Sequence, residues 1–187
     1  CVMLWTIAIH CFQKQRNLFG VLIISLALGI KLNATLYLPA VYLITSKSQG
    51  IVIGTSYMLL IALMQILIGY PFVKTYPKEY FNTAYNFGRT FDHVQNFSWR
   101  IIPEPIVKTS IFGSILLTIH LSLLLFFLFK RWIKFKELFT ELSIYPFNPF
   151  PKFKPLDPYH IAEVFYVWNF IGIVCSRGLH YQFLLWY

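Results

Sequence analysis

The chain has 187 residues, of which 57% are hydrophobic, 19% aromatic and 12% charged, with a net charge of +9. A water-facing surface carries about twice that charged fraction, which excludes a soluble globular enzyme, and hydrophobicity this high excludes disorder. The cations fall in short clusters between apolar runs, the pattern of topology control at a membrane surface, so the expected partner is membrane lipid and not nucleic acid.

A helix needs roughly 20 apolar residues to cross the ~30 Å hydrocarbon core. On that measure the chain reads as one all-α, polytopic transmembrane module, 1–187, incomplete at both ends. It begins at Cys1 without methionine and ends at Tyr187, both within apolar runs and without a signal-peptide pattern, as expected of an internal piece of a longer protein. Residues 1–12 form a partial span, followed by the basic connection Gln13-Lys14-Gln15-Arg16. Residues 18–45 are too long for one plain helix and contain Lys31, Asn33 and Pro39. A broken or re-entrant span accounts for them, because a break at membrane depth survives where protein or water satisfies the backbone. Lys31 and Asn33 would either bind a phosphate or satisfy that unwound backbone.

Residues 51–71 and 106–129 are the two clearest spans, free of charged residues in their apolar cores. Lys130-Arg131-Trp132-Ile133-Lys134-Phe135-Lys136 follows the second and marks the cytoplasmic side. The 72–105 segment between the spans is then a lumenal loop. Residues 130–159, with Pro146, Pro149, Pro151, Pro155 and Pro158, form a cytoplasmic proline-rich linker. Residues 160–187 form a final span that leads into a lumenal polar cluster. Cys1, Cys11 and Cys175 lie in apolar stretches without metal-ligand spacing and read as packing residues.

Two segments carry candidate chemistry. In 72–105, aromatic residues that include Trp99 alternate with Arg89, Arg100, Asp92 and Glu104. Rings stack on sugar faces and guanidinium forks match phosphate oxygens, although interfacial anchoring accounts for the same composition. In Ser176–Gln182, Arg177 and His180 stand three residues apart on one helical face beside Tyr181 and Gln182, suited to a lipid-linked phosphate. A snorkelling arginine with a hydrogen-bonded histidine is the simpler alternative. Asn96-Phe97-Ser98 and Asn33-Ala34-Thr35 are formal glycosylation sequons. No Gly-rich phosphate loop, close acidic pair or Ser-His-Asp set occurs, so no metal site is expected. Transporter fragments, with their broken helices, and non-catalytic scaffold subunits stay open on these residues alone.

Gly69-Tyr70-Pro71-Phe72, Gly88-Arg89-Thr90-Phe91, Trp99-Arg100-Ile101-Ile102-Pro103-Glu104, Asn169-Phe170-Ile171-Gly172-Ile173 and Ser176-Arg177-Gly178-Leu179-His180-Tyr181-Gln182-Phe183 occur in this order, after Lys31-Leu32-Asn33 and Tyr37-Leu38-Pro39-Ala40. From about Lys31 to Tyr187 the set resembles the dolichyl-phosphate-mannose-dependent alpha-1,3-mannosyltransferases of endoplasmic-reticulum asparagine-linked glycosylation. The chain departs from that family at Asn86-Phe87-Gly88-Arg89, where Asp-Leu-Gly-Arg is usual, and at Ser98-Trp99-Arg100, where Asn-Trp-Arg is usual. The resemblance implies a GT-C-like fold, a multi-pass reticulum membrane protein and a lumenal active site. It implies mannose transfer with inversion from dolichyl-phosphate-mannose to a five-mannose dolichyl-diphosphate oligosaccharide, without a cofactor or metal. It places substrate contacts at Arg89, Trp99, Arg100, Glu104, Arg177, His180, Tyr181 and Gln182. The catalytic acid is expected upstream of residue 1, so no catalytic residue is assigned in this chain.

Overall fold

The computed structural model describes residues 2–84, 98–133, 154–176 and 178, and every regular element among them is helical. The chain divides into two compact units, residues 1–86 with 135–167 and residues 87–134 with 168–187.

In the first unit, α1 (Val2–Gln13) and α2 (Asn17–Ile30) form a tight hairpin. Helix α2 stops at Lys31, whose backbone is extended, and a 3₁₀ segment (Leu32–Tyr37) leads into α3 (Leu38–Gln49). Pro39 accounts for the restart, since proline in the first helical turn sacrifices no intrahelical hydrogen bond. Asn17 Nδ2 donates to Ser48 Oγ at 2.9 Å, so the end of α3 lies beside the start of α2. Gly50, at φ 95°, turns the chain into α4 (Ile51–Thr75). Helix α4 runs through Pro71 into what the sequence assigns to a loop. Proline near a C-terminus removes one donor, and Thr75 Oγ1 folds back onto Pro71 O at 2.9 Å. Helix α5 (Pro77–Ala84) then lies against α4, with Tyr80 stacked near Phe72 at 6.4 Å.

An aromatic cluster sits within the largely aliphatic core of this unit. Trp5 stacks on Tyr37, and Phe165 meets Phe12 at 5.2 Å and Tyr37 at 6.4 Å. Gln65 Nε2 donates to both the carbonyl and the hydroxyl of Ser25 at 2.8 Å, a polar link between α2 and α4 that satisfies each group inside apolar surroundings.

The second unit contains α6 (Glu104–Val107) and α7 (Ser110–Phe127), which ends in a π turn (Leu128–Trp132). Thr109 caps α7 by accepting from Phe112 N–H at 3.2 Å. Trp132 stacks on Trp168 at 5.2 Å and meets Phe127 at 5.5 Å. Trp168 belongs to α8 (Pro158–Val174), whose earlier residues belong to the first unit.

Helices Ile51–Thr75 and Ser110–Trp132 are long and apolar enough to cross a membrane, and only 11% of the most apolar stretch of each is buried. Leu59, Ile66 and Leu67 on α4 and Ile111, Leu117 and Phe126 on α7 are at least half exposed. A core helix of a soluble protein would bury such residues at about 25 cal/mol per Å², so these faces are built for hydrocarbon. The architecture is that of an all-α helical membrane protein.

Candidate functional site

The region around Trp99 supplies a long-range polar contact that joins two of the sequence-predicted segments. Residues 98–101 form a turn, closed by Ile102 N–H donating to Trp99 O at 3.0 Å, and Pro103 then starts α6. The turn holds the Trp99 ring edge-on to Phe112 of α7, with centroids 5.4 Å apart. Trp99 Nε1 donates to Ser176 O at 2.8 Å across 77 residues of sequence. Ser176 is the residue before Arg177 and lies just past the end of α8, where helix carbonyls lose their intrahelical donors. The indole thus satisfies a carbonyl at the helix exit.

Arg100 is exposed beside Trp99. Glu104 pairs with Lys108 one turn on, both half exposed, an i,i+4 surface pair that contributes a few tenths of a kcal/mol at about the scale of exposed helix pairs. Lys31 lies in the first unit, with its backbone N–H donating to Ala27 O at 3.0 Å as the cap of α2. Asn33 lies in the 3₁₀ segment, and its side chain is outside the described set. Arg89, Arg177, His180, Tyr181 and Gln182 also lie outside the described residues, as does Asn96. Among the described residues, no three His, Cys, Asp or Glu side chains come together as a metal site.

Two polar residues of the second unit stand out that the composition of the segments does not single out. Asn169 of α8 is fully buried, and neither its Oδ1 nor its Nδ2 has a hydrogen-bond partner. Ser176 Oγ is also buried without a partner. A buried amide left unsatisfied costs about 1–3 kcal/mol, so its presence in the apolar second half of α8 asks for a reason beyond packing. The sequence signal is a lone amide inside an apolar run, seven residues before Ser176 and therefore on the same helical side. Gly69, of the Gly69-Tyr70-Pro71-Phe72 motif, has a packing role: a β-carbon there would stand 2.8 Å from the Tyr80 hydroxyl.

Comparison with known proteins places these observations. The family described as "ALG3 protein" matches residues 1–187. The chain is 35% identical to the Dol-P-Man:Man(5)GlcNAc(2)-PP-Dol alpha-1,3-mannosyltransferase of Arabidopsis thaliana, covering 97% of this chain and 44% of that protein. It is 32% identical to the Homo sapiens protein of the same name, over 100% of this chain and 42% of that one. With the Neurospora crassa protein the identity is 31%, over 97% and 44%. The chain therefore spans less than half the length of these curated relatives. No solved structure matches it.

Proposed function

The chain belongs to the ALG3 protein family, and on that premise we propose that it forms part of a membrane mannosyltransferase of the endoplasmic reticulum. The whole protein transfers mannose from dolichyl-phosphate-mannose, in alpha-1,3 linkage, to the five-mannose dolichyl-diphosphate oligosaccharide, the donor and acceptor printed in the names of its relatives. The protein is multi-pass, with the active site on the lumenal face.

The reaction is a single displacement. An acceptor hydroxyl attacks the anomeric carbon, the bond from that carbon to the phosphate oxygen breaks, and dolichyl phosphate leaves with the bonding electrons. The hydroxyl proton passes to a base supplied by the remainder of the protein. Negative charge grows on the departing oxygen, and cations fixed beside it lower the barrier. Arg177 and His180 serve that phosphate, with Tyr181 and Gln182 adjacent, while Arg89 and Arg100 order the loop or meet the acceptor diphosphate.

The observation that supports this reading best is the Trp99–Ser176 hydrogen bond, since it brings the Trp99-Arg100 turn to the residue that precedes Arg177. The test is the reconstituted full-length protein. Arg177→Ala is expected to lower kcat by on the order of 10²-fold at near-normal abundance, the scale of losing one electrostatic stabiliser. Arg177→Lys should recover part of it, because an ammonium keeps the charge but loses the planar fork. Normal turnover per folded Arg177→Ala molecule would exclude the donor-phosphate role.

A further inference from the structure

Three side-chain hydrogen bonds gather distant segments at one end of the first unit. Gln13 Nε2 donates to Pro158 O at 3.0 Å and Gln15 Nε2 to Leu156 O at 3.3 Å, which ties the α1–α2 turn to the entry of α8. The Asn17–Ser48 bond ties the same turn to the end of α3. The turn itself closes in a Schellman pattern, with Arg16 N–H donating to Cys11 O at 2.8 Å and Gln15 N–H to Phe12 O at 2.9 Å. Gln15 occupies the left-handed position at φ 58°, where glycine is the usual residue. A glutamine held there has a side chain to spend on an anchor, and Leu156 O receives it.

The result is a concentration of positive charge. Lys14, Arg16 and Lys154 are exposed at this end and Lys47 is partly exposed, whereas Asp157 is the one carboxylate among the described residues of these segments. Phe19 is 61% exposed and Tyr159 84% exposed in the same segments. Cations beside exposed rings match the headgroup level of a bilayer, where phosphodiesters lie above the first acyl carbons.

We propose that this end of the first unit is a docking surface for anionic phospholipid headgroups of the cytoplasmic leaflet. It rests on the lumenal active site proposed above: with Lys130–Lys136 cytoplasmic and residues 18–45 re-entrant, the Lys14–Arg16 turn is cytoplasmic as well. Anionic phospholipid is the occupant because the surface opposes four cations to one carboxylate and borders exposed aromatic rings. An acidic protein partner would need the charge without the rings.

The full-length protein, reconstituted in nanodiscs of phosphatidylcholine with phosphatidylinositol, provides the test, with retained lipids counted by native mass spectrometry. Each cation near an anionic surface raises local partitioning roughly fivefold. The combined Lys14→Gln, Arg16→Gln and Lys154→Gln variant should therefore lower the ratio of retained phosphatidylinositol to phosphatidylcholine by at least about tenfold. Lys14→Arg with Lys154→Arg should keep the wild-type ratio. In parallel, Lys14→Cys, in a background without other accessible cysteines, is labelled in sealed microsomes with an impermeant maleimide. An unchanged lipid ratio with a cytosolic label overturns the lipid surface and leaves the topology standing. A lumenal label overturns the topology, and the assignment to the cytoplasmic leaflet with it.

Discussion

At the scale of single residues, Trp99 and Asn169 separate function from packing more cleanly than the charged groups do. Trp99→Phe keeps an aromatic ring against Phe112 but removes the donor to Ser176 O. A lost neutral hydrogen bond costs about 0.5–1.5 kcal/mol of stability. If that bond orients the segment that carries Arg177 and His180, turnover should fall further than folded abundance does. Equal losses in both would make Trp99 a packing residue only. Asn169 offers the opposite contrast. Its amide is buried with both polar atoms unpartnered, so Asn169→Leu removes an unsatisfied group at similar volume. Such a replacement is neutral or stabilising when the polar group has no structural task. Asn169→Leu is therefore expected to hold or raise the thermal midpoint while lowering turnover per folded molecule. A lower midpoint with normal turnover would instead identify Asn169 as the ligand of a structural water, which a buried amide commonly holds.

At the scale of elements, the α3–α4 corner is a tightly constrained joint of the first unit. Gly50 sits at φ 95°, which side chains avoid, and Gly54 lies one turn into α4 against Ser46. A β-carbon on Gly54 would overlap Ser46 Oγ and approach Ser46 N at 3.1 Å and its Cα at 3.2 Å. Rotating the serine hydroxyl does not clear the backbone atoms, so α3 and α4 would have to part. Gly54→Ala should lower stability by about 1–3 kcal/mol, the usual cost of overpacking, read as a drop in the thermal midpoint of the purified protein. Ser46→Ala in the same molecule should recover little, because the backbone contacts persist. This joint also shows what local sequence carries. The long apolar helices are legible because their runs exceed twenty residues, and Lys31, Asn33 and Pro39 mark the interruption that follows α2. The continuation of α4 through Pro71 is not legible, since the Thr75 side-chain bond and the packing of α5 outweigh one missing donor. The Trp99–Ser176 contact is beyond local reading altogether, because 77 residues separate its partners and only tertiary packing selects them.

At the scale of the whole molecule, helix length sets which elements can cross a bilayer. Helix α4, with 25 residues, is about 37 Å long, and Ser110–Trp132, with 23, about 34 Å, at 1.5 Å per residue. Both exceed the ~30 Å hydrocarbon core. Helices α2 and α3, with 14 and 12 residues, reach about 18–21 Å and do not. Because the end of α3 returns to the start of α2, that pair is expected to re-enter on the side it left. The α1–α2 turn, Lys47 and the start of α4 should then share one face of the membrane. Helix α4 should carry the chain across, and between its end and Ser110 the described residues hold only α5 and α6, eight and four residues long. Lys78 and Lys108 should accordingly share the opposite face, and Arg131 should return to the first. The clusters Lys14–Arg16 and Lys130-Arg131 should then both meet the cytoplasm, the side that the distribution of basic residues predicts. Single cysteines at Lys78, Lys108, Lys14 and Arg131, introduced one at a time into full-length protein without other accessible cysteines, give the readout. In sealed microsomes an impermeant maleimide should label the last two, and the first two only after detergent opens the vesicles. Labelling of Lys78→Cys in sealed vesicles would mean that α4 does not cross, and the lumenal assignment of the Trp99 turn would fall with it.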